Sequence, residues 1–190
     1  MSRKYDSIDT TYTYKNGTFK NRYGIKSEKE LDKVEGMVVL ARIASFNITT
    51  QIFNFKYICV INKYLFSDVY DWAGEIRKVD ISKGNTRFCN CNYIKTSWEQ
   101  YVQPKIEEFK SANDKIKCLA EIFAEINLIH PFREGNGRTT KVFIAQLTRT
   151  VNINLQWENI NAEENLKASI ASVNGNIKPL IELLNKCIVK

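Results

Sequence analysis

The sequence predicts an all-α fold, a helical bundle that carries one short β-hairpin. Apolar residues recur at helical spacing along most of the chain. Only one stretch, residues 75–95, combines β-prone residues with turn-forming ones. With 190 residues, 44% of them hydrophobic, the chain has the size and apolar content of one domain with a single core.

The N-terminal part of the chain predicts an arm followed by a helix. Residues 1–26 are rich in Tyr, Thr, Asn and Gly and lack helical periodicity, so we expect an arm packed on the body, with residues 27–190 as one domain. Ser27 can cap the first helix, with Glu30 three residues later. The inner face of this helix is predicted to carry Leu31, Val34, Val38 and Ala41.

The remaining elements follow from apolar spacing and turn residues. Helices are predicted over Phe55–Leu65, Thr96–Phe109 and Lys115–Ile129, from about Asn136, and in two short segments of residues 161–188 that are broken at 174–176. Between the second and third helices, Ser82-Lys-Gly-Asn85 supplies turn chemistry. We therefore expect a short, exposed hairpin there.

Charge and composition exclude several classes of protein. The net charge of +7 attracts phosphate groups, but basic and acidic residues are interleaved, which favours a mixed solvated surface over a direct nucleic-acid track. No apolar run approaches the roughly 18 residues of a membrane span, and no secretory signal is recognisable. Five cysteines, an odd number, favour reduced thiols. These observations predict a cytoplasmic protein without a membrane partner.

One segment, His130-Pro-Phe-Arg-Glu-Gly-Asn-Gly-Arg138, concentrates residues suited to catalysis. His130 is the only histidine of the chain. Pro131 ends the preceding helix and is expected to hold His130 in an extended conformation. Two glycines flank Asn136 and allow a tight turn whose N–H groups converge at the start of the next helix. Such a turn predicts an anion site.

Charged residues complete this predicted site. Arg138 lies in the first helical turn, where a cation is unfavourable unless an anion neutralises it. Glu134 adds one carboxylate beside the anion site, which is how Mg²⁺ is usually held together with phosphate oxygens and waters. His130 is the one imidazole that could act as a base. Together these residues predict a phosphate-transfer site.

The segment from His130 to Arg138 resembles the signature of the Fic family, His-x-Phe-x-(Asp or Glu)-Gly-Asn-Gly-Arg-x-x-Arg, without a gap. A looser similarity, which includes Asn127, extends over roughly residues 27–186. The resemblance implies a Fic-fold helical bundle in which Phe132 is a core anchor. It also implies adenylylation, the transfer of AMP from ATP to a hydroxyl side chain of another protein.

The resemblance further implies roles for individual residues. His130 would deprotonate a Ser, Thr or Tyr hydroxyl of the target, whose oxygen attacks the α-phosphorus and expels pyrophosphate. Glu134 would hold Mg²⁺ between the α- and β-phosphates. The nucleotide- and phosphate-binding residues would be Gly135, Asn136, Gly137, Arg138, Lys141, Lys83 and Asn127.

The hairpin resembles the family's flap, which aligns the target segment by strand-like pairing. The target-docking residues implied by this resemblance are Ile81, Ser82, Gly84 and Asn85. At the last position of the signature Lys141 replaces Arg, which keeps the charge but loses the bidentate fork that would orient the γ-phosphate. Arg133 fills a free position of the signature and is expected to face solvent or the target.

Regulation and partners are also implied by the resemblance. Many Fic proteins are silenced by a helix with Ser/Thr-x-x-x-Glu-(Gly or Asn), whose Glu blocks the phosphate pocket. No Glu of this chain follows a Ser or Thr by four residues, and Leu31…Glu35-Gly36 fails at its first position. We therefore expect a small antitoxin that supplies the inhibitory helix in trans to this bacterial toxin. The family resemblance also points to DNA topoisomerase subunits as targets.

Two alternatives remain at this stage. One is the transfer of another phosphate-linked group, although phosphorylating relatives carry Lys where Gly137 stands. The other is a catalytically inactive module that binds a partner or nucleic acid through its basic surface.

Overall fold

The structure is a computed structural model that describes residues 9–47 and 49–189. The predicted all-α architecture is confirmed, since strands contribute only two small antiparallel pairs to the described residues. The helices are α1 (Glu28–Ala44), α2 (Phe55–Phe66), α3 (Ile94–Ser97), α4 (Gln103–Phe109), α5 (Lys115–Ile129), α6 (Asn136–Arg149), α7 (Ala162–Val173) and α8 (Lys178–Cys187). The strand pairs are β1 (Ser82–Lys83) with β2 (Thr86–Arg87), and β3 (Asn154–Leu155) with β4 (Ile188–Val189). None of the helices in these two ranges is long and apolar enough to cross a membrane.

Most helices begin and end where the sequence predicts. Helix α5 has the predicted bounds, and the side chain of Asp114 caps it by accepting a hydrogen bond from the N–H of Lys117. Helix α6 begins at Asn136, and α7 and α8 are separated at residues 174–177. The helix predicted over Thr96–Phe109 is instead divided into α3, a π-helical turn at Trp98–Val102, and α4.

Helix α1 starts as predicted, because the side chain of Ser27 accepts a hydrogen bond from the N–H of Glu30, but its inner face differs. The buried residues are Leu31, Glu35 and Val39. Ala41, predicted to lie inside, is exposed. The inner face thus includes a charged residue, Glu35, which pairs with a cation of the site described below.

Helix α5 packs against α4, α6, α7 and α8 and forms the centre of the core. The loop that joins α5 to α6 is held by α2, which packs against α6. Asn62 of α2 is buried and donates hydrogen bonds to the carbonyl of Glu134 and to Oγ1 of Thr139. The same side chain accepts a hydrogen bond from the N–H of Gly74. Asn62 therefore fixes the loop against two other segments of the chain.

The arm packs on the body over its described part, and residues 1–8 lie outside the described residues. Tyr12 and Phe19 are buried, and both rings contact Trp72 edge to face. Arg133 is only 2% exposed, with its guanidinium 4.7 Å from the centre of the Phe19 ring. The expectation that Arg133 faces solvent or a target is therefore wrong, because the arm covers it and the aromatic ring favours the cation.

Candidate active site

A cleft of about 520 Å³ lies between the α5–α6 loop, α7 and the hairpin, a volume typical of small-molecule sites. Every residue predicted to be catalytic, metal-binding or phosphate-binding lines this cleft. The hairpin contributes Gly84, Thr86 and Phe88 in addition to Lys83. The structure thus brings together side chains from three separate parts of the sequence.

His130 ends α5 in a left-handed conformation, with φ 49° and ψ 64°, rather than in the extended one that the sequence predicts. Its N–H still bonds to the carbonyl of Ile126 at 3.0 Å, so the chain leaves the helix by a left-handed cap at this residue. Nδ1 lies 3.1 Å from the carbonyl oxygen of Asn127. The ring of Phe88 stacks on the imidazole, with 3.8 Å between the ring centres.

The surroundings of His130 keep its imidazole neutral. Burial lowers the pKa of His130 from 6.5 to about 3; the bond to Asn127 opposes this shift, and the positive charges of Arg77 and Lys83 add to it. Because a carbonyl only accepts, the contact at Nδ1 requires the proton on that nitrogen, and the basic lone pair then belongs to Nε2. This is the protonation state that a general base needs.

Gly135 and Asn136 shape the turn after His130. Gly135 has φ 80°, and a Cβ at this position would lie 2.2 Å from the ring of Phe66, so only glycine fits. Oδ1 of Asn136 accepts the N–H of Phe132 at 2.9 Å, and Nδ2 donates to the carbonyl of the same residue at 2.8 Å. The Asn136 side chain thus holds the turn together, and the contact to phosphate that the resemblance implies stays a prediction.

The start of α6 supplies backbone donors. The first N–H groups of a helix lack a carbonyl one turn earlier. Here they belong to residues 136–138, all of which line the cleft. Together with the positive end of the helix dipole they are groups of the kind that an anion site requires.

Arg138 is held between two carboxylates. Its Nη2 lies 2.6 Å from Oε1 of Glu35 and 3.2 Å from Oε1 of Glu134, and its guanidinium lies over the ring of Phe66. The hydroxyl of Tyr70 donates to Oε2 of Glu35, which is only 2% exposed. Arg138 is thus held by two protein carboxylates at the edge of the cleft, and its predicted role in binding phosphate stays a prediction.

Glu134 is the one predicted metal ligand. Its Oε1 accepts hydrogen bonds from the N–H of Gly135 and from Arg138. Within residues 9–47 and 49–189, no group of three or more His, Cys, Asp or Glu side chains could hold a metal ion. A single carboxylate beside an anion site fits Mg²⁺ only when phosphate oxygens and waters complete its coordination.

The remaining predicted nucleotide-binding residues surround the cleft. Nζ of Lys141 lies 5.3 Å from the centre of the Trp157 ring, and burial lowers the pKa of this lysine. Asn127 ties α5 to α7 by donating to Oγ of Ser169 at 3.4 Å. Lys83 is exposed on β1.

The predicted flap is present as a very short hairpin. Ser82 pairs with Arg87 and Lys83 with Thr86. The exposed tip contains Gly84 and Asn85. Ile81, expected to dock the target, is only 2% exposed. Its side chain therefore belongs to the core rather than to a docking surface.

Sequence reasoning missed the wall that α7 contributes, formed by Asn165, Leu166, Ser169, Ile170 and Val173. A signal was available, since Leu166 and Ile170 lie four residues apart on a different face from the buried Ala168 and Ser172. Glu35, Asn62 and Arg77 were also missed, because buried polar residues leave no trace in an apolar pattern.

Known proteins resemble the chain in sequence and fold. The sequence profile of the Fic/DOC family matches residues 52–148. The chain is 36% identical to the protein adenylyltransferase VbhT of Bartonella schoenbuchensis over 97% of its own length and 40% of that protein. It is 31% identical to the probable protein adenylyltransferase Fic of Salmonella typhimurium, covering 99% of the chain and 96% of that protein.

The fold of the chain also resembles that of a solved structure. The crystal structure of the BepC protein of Bartonella tribocorum, with bound AMPPNP, superposes with a TM-score of 0.87 at 23% identity and covers 95% of this chain and 97% of that one. The likeness to BepC concerns the fold, while the family profile and the two sequence relatives bear on descent. The profile and these two relatives show that the chain belongs to the Fic/DOC family.

Proposed function

We propose that the chain is a protein adenylyltransferase, which transfers AMP from ATP to a hydroxyl side chain of a target protein. One observation carries the proposal: the neutral imidazole of His130 and the N-terminal amides of α6 line the same nucleotide-sized cleft. The relatives named above are called protein adenylyltransferases. The inactive-module alternative has no comparable support, because a module without chemistry does not need a pre-deprotonated base.

The cleft offers separate surfaces to the parts of ATP. The triphosphate would lie at the start of α6, with Lys141 and Lys83 as flanking cations. The base would lie against α7, where Leu166 and Ile170 are 47% and 46% exposed.

The proposed reaction uses His130 as base. Nε2 takes the proton of the target hydroxyl, the oxygen forms a bond to the α-phosphorus, and the bond to the β-phosphate oxygen breaks to release pyrophosphate. The amides of residues 136–138 are positioned to stabilise charge that develops on the phosphate. Mg²⁺, bound through Glu134 and phosphate oxygens, would neutralise part of that charge.

The hairpin is the proposed docking element for the target. Strand pairing with an extended target segment would use backbone groups, so the sequence of the target is only loosely constrained. Ser82, Gly84 and Asn85 are the hairpin residues available for this contact. A topoisomerase subunit in the bacterial cytoplasm is the proposed target.

Inhibition is proposed to come from an antitoxin acting in trans, with this chain as the toxin. Glu35 is the residue of α1 that comes closest to the inhibitory motif, but it binds Arg138 and Tyr70 and does not line the cleft. Helix α1 therefore supplies a supporting glutamate rather than a blocking one.

The test is labelling with ATP. The chain is incubated with Mg²⁺, a bacterial lysate and ATP labelled at either the α- or the γ-phosphate, beside His130→Ala as control. We expect a target band labelled only from α-labelled ATP, and its loss in His130→Ala while ATP binding persists. Label from γ-labelled ATP would indicate phosphoryl transfer, and no label in the wild type would refute the proposal.

A further inference from the structure

Arg77 is a charged residue that the fold buries almost completely, at 1% exposure. A buried guanidinium needs partners for its donors. At the end of α5, Nε donates to the carbonyl of His130 at 2.8 Å and Nη2 to that of Ile129 at 3.2 Å. The backbone N–H of Arg77 donates to the carbonyl of Pro131 at 3.0 Å. Arg77 therefore places a cation at the C-terminus of α5, where helix carbonyls lack partners.

The same guanidinium holds both ends of the hairpin. Nη1 donates to the carbonyl of Val79, just before β1, at 2.8 Å, and Nη2 donates to that of Cys89, just after β2. Asp80 lies 3.7 Å from Nη1 and accepts the N–H of Cys91, which closes the base of the hairpin. One side chain thus joins the base of the hairpin to the loop that carries the histidine.

The contacts of Arg77 surround a strained residue. A left-handed residue other than glycine persists only where its surroundings hold it. Arg77 donates hydrogen bonds to the carbonyls of Ile129 and His130, which flank the nitrogen and α-carbon of His130. Phe88, the residue before Cys89, stacks on the imidazole. A change at Arg77 would therefore move the ring and the hairpin together.

We propose that Arg77 is a positioning residue, which sets the imidazole of His130 and the hairpin in a fixed relation to each other. The inference rests on the proposed function, in which His130 removes the proton and the hairpin presents the target hydroxyl. Arg77 does not line the cleft and would act only through these two groups.

The kinetic test compares Arg77→Lys and Arg77→Gln with Arg42→Lys and Arg42→Gln. Arg42 is the control, since its Nε and Nη2 pair with Asp68 rather than with the His130 loop or the hairpin. For folded Arg77 variants we expect kcat for AMP transfer to fall about 100-fold, as for a misplacement near 1 Å, while the Kd for ATP changes less than threefold. An unchanged kcat, or a parallel loss of ATP binding and kcat, would contradict a positioning role.

A second readout does not depend on activity. Because His130 is the only histidine, the Hε1 proton of its imidazole gives one NMR signal of its kind. Its shift reflects stacking on Phe88 and is expected to change in both Arg77 variants but in neither Arg42 variant. If the signal stays at its wild-type position in folded Arg77 variants, the inference fails, whether or not the chain transfers AMP. If the signal moves in the Arg77 variants but the wild type transfers no AMP, only the proposed function is refuted.

If the Arg77 variants do not fold, the inference can still be tested by hydrogen exchange on the wild-type protein. The Nε–H of Arg77 is buried against a carbonyl, whereas the side chain of Arg22 is 54% exposed. We expect at least 100-fold slower hydrogen exchange at Arg77 Nε than at Arg22 Nε. Equal exchange rates would show that the contacts to His130 do not persist, and would overturn the inference.

Discussion

The loop from His130 to Arg138 and the hairpin of β1 and β2 form two sides of one cleft, yet they are built differently. Phe132, Glu134 and Asn136 of the loop are at most 6% exposed, and each has contacts inside the protein. The hairpin has two residue pairs, and its tip is exposed. The side that would bind phosphate is preorganised, whereas the side that would meet a protein target is fixed only at its base. Preorganisation serves the chemistry, which tolerates little displacement.

A pair of glycines expresses the same contrast. Gly135 and Gly84 both adopt left-handed conformations, with φ 80° and 55°. A Cβ at Gly135 would meet Phe66 at 2.2 Å, whereas a Cβ at Gly84 would meet no atom within 4 Å. The two positions share backbone strain and differ in packing.

The largest effect is expected for Gly135→Ala. Left-handed strain of about 1–2 kcal/mol and overpacking of about 1–3 kcal/mol should together lower the free energy of unfolding by about 3 kcal/mol. ATP binding should weaken at least tenfold, because the start of α6 shifts. Urea unfolding followed by tryptophan fluorescence and calorimetric titration with ATP measure the two effects. A variant as stable as the wild type would show that the loop adapts easily.

Glu35→Gln tests whether a distant helix supports the loop. Removing the buried charge weakens the contact to Arg138 and should lower the free energy of unfolding by about 2 kcal/mol. Glu30→Gln, at an exposed position of the same helix, should change it by less than about 0.5 kcal/mol. Equal losses of unfolding free energy in the two variants, measured by urea unfolding, would show that Glu35 of α1 does not support the loop.

Gly84→Ala should cost less than either Gly135→Ala or Glu35→Gln. Strain alone predicts a loss of about 1 kcal/mol in the free energy of unfolding, since the space around the position is open. Urea unfolding beside Gly135→Ala measures the difference directly. If Gly84→Ala proved the more damaging, the hairpin would be the more rigid of the two regions.

The smallest expected effect is a pH dependence of stability. The pKa of His130 is about 3 in the folded chain and near 6.5 when unfolded, so the unfolded state binds more protons between these values. Stability should therefore fall as the pH drops below about 7, by about 0.7 kcal/mol between pH 7 and pH 6. His130→Ala should lack this contribution, and its urea midpoints from pH 7 to pH 6 should fall less steeply. Parallel slopes would place the imidazole in water.

The sequence predicted the site best where its residues are contiguous in the chain. The motif from His130 to Arg138 predicted the end of α5, the start of α6 and the part of the cleft that lies between them. It did not predict the left-handed conformation of His130, because the preference of a residue before proline is set by local sterics and was overridden by contacts to Arg77. Local rules cannot include a partner 53 residues away.

Buried polar residues were the other source of error. Val34, Val38 and Ala41 were predicted on the inner face of α1 because apolar residues usually face the core. Val34 and Val38 are half-buried, but Ala41 is exposed and Glu35 takes one of the buried positions. Arg133 was misplaced for the same reason, since its burial depends on the aromatic rings of the arm. The partners that make these positions favourable, Arg138 for Glu35 and the rings of the arm for Arg133, lie far away in sequence.

Glu35 also bears on how small a working fragment could be. It precedes residue 52, where the match to the family profile begins, yet its carboxylate holds Arg138 at 2.6 Å. Trimming the chain to the matched segment would leave this guanidinium without its nearer counter-ion and expose the surface that α1 covers on α2. The smallest fragment that keeps the site intact therefore starts at or before Ser27. A fragment limited to the matched segment would keep the motif but lose the helix that supports it.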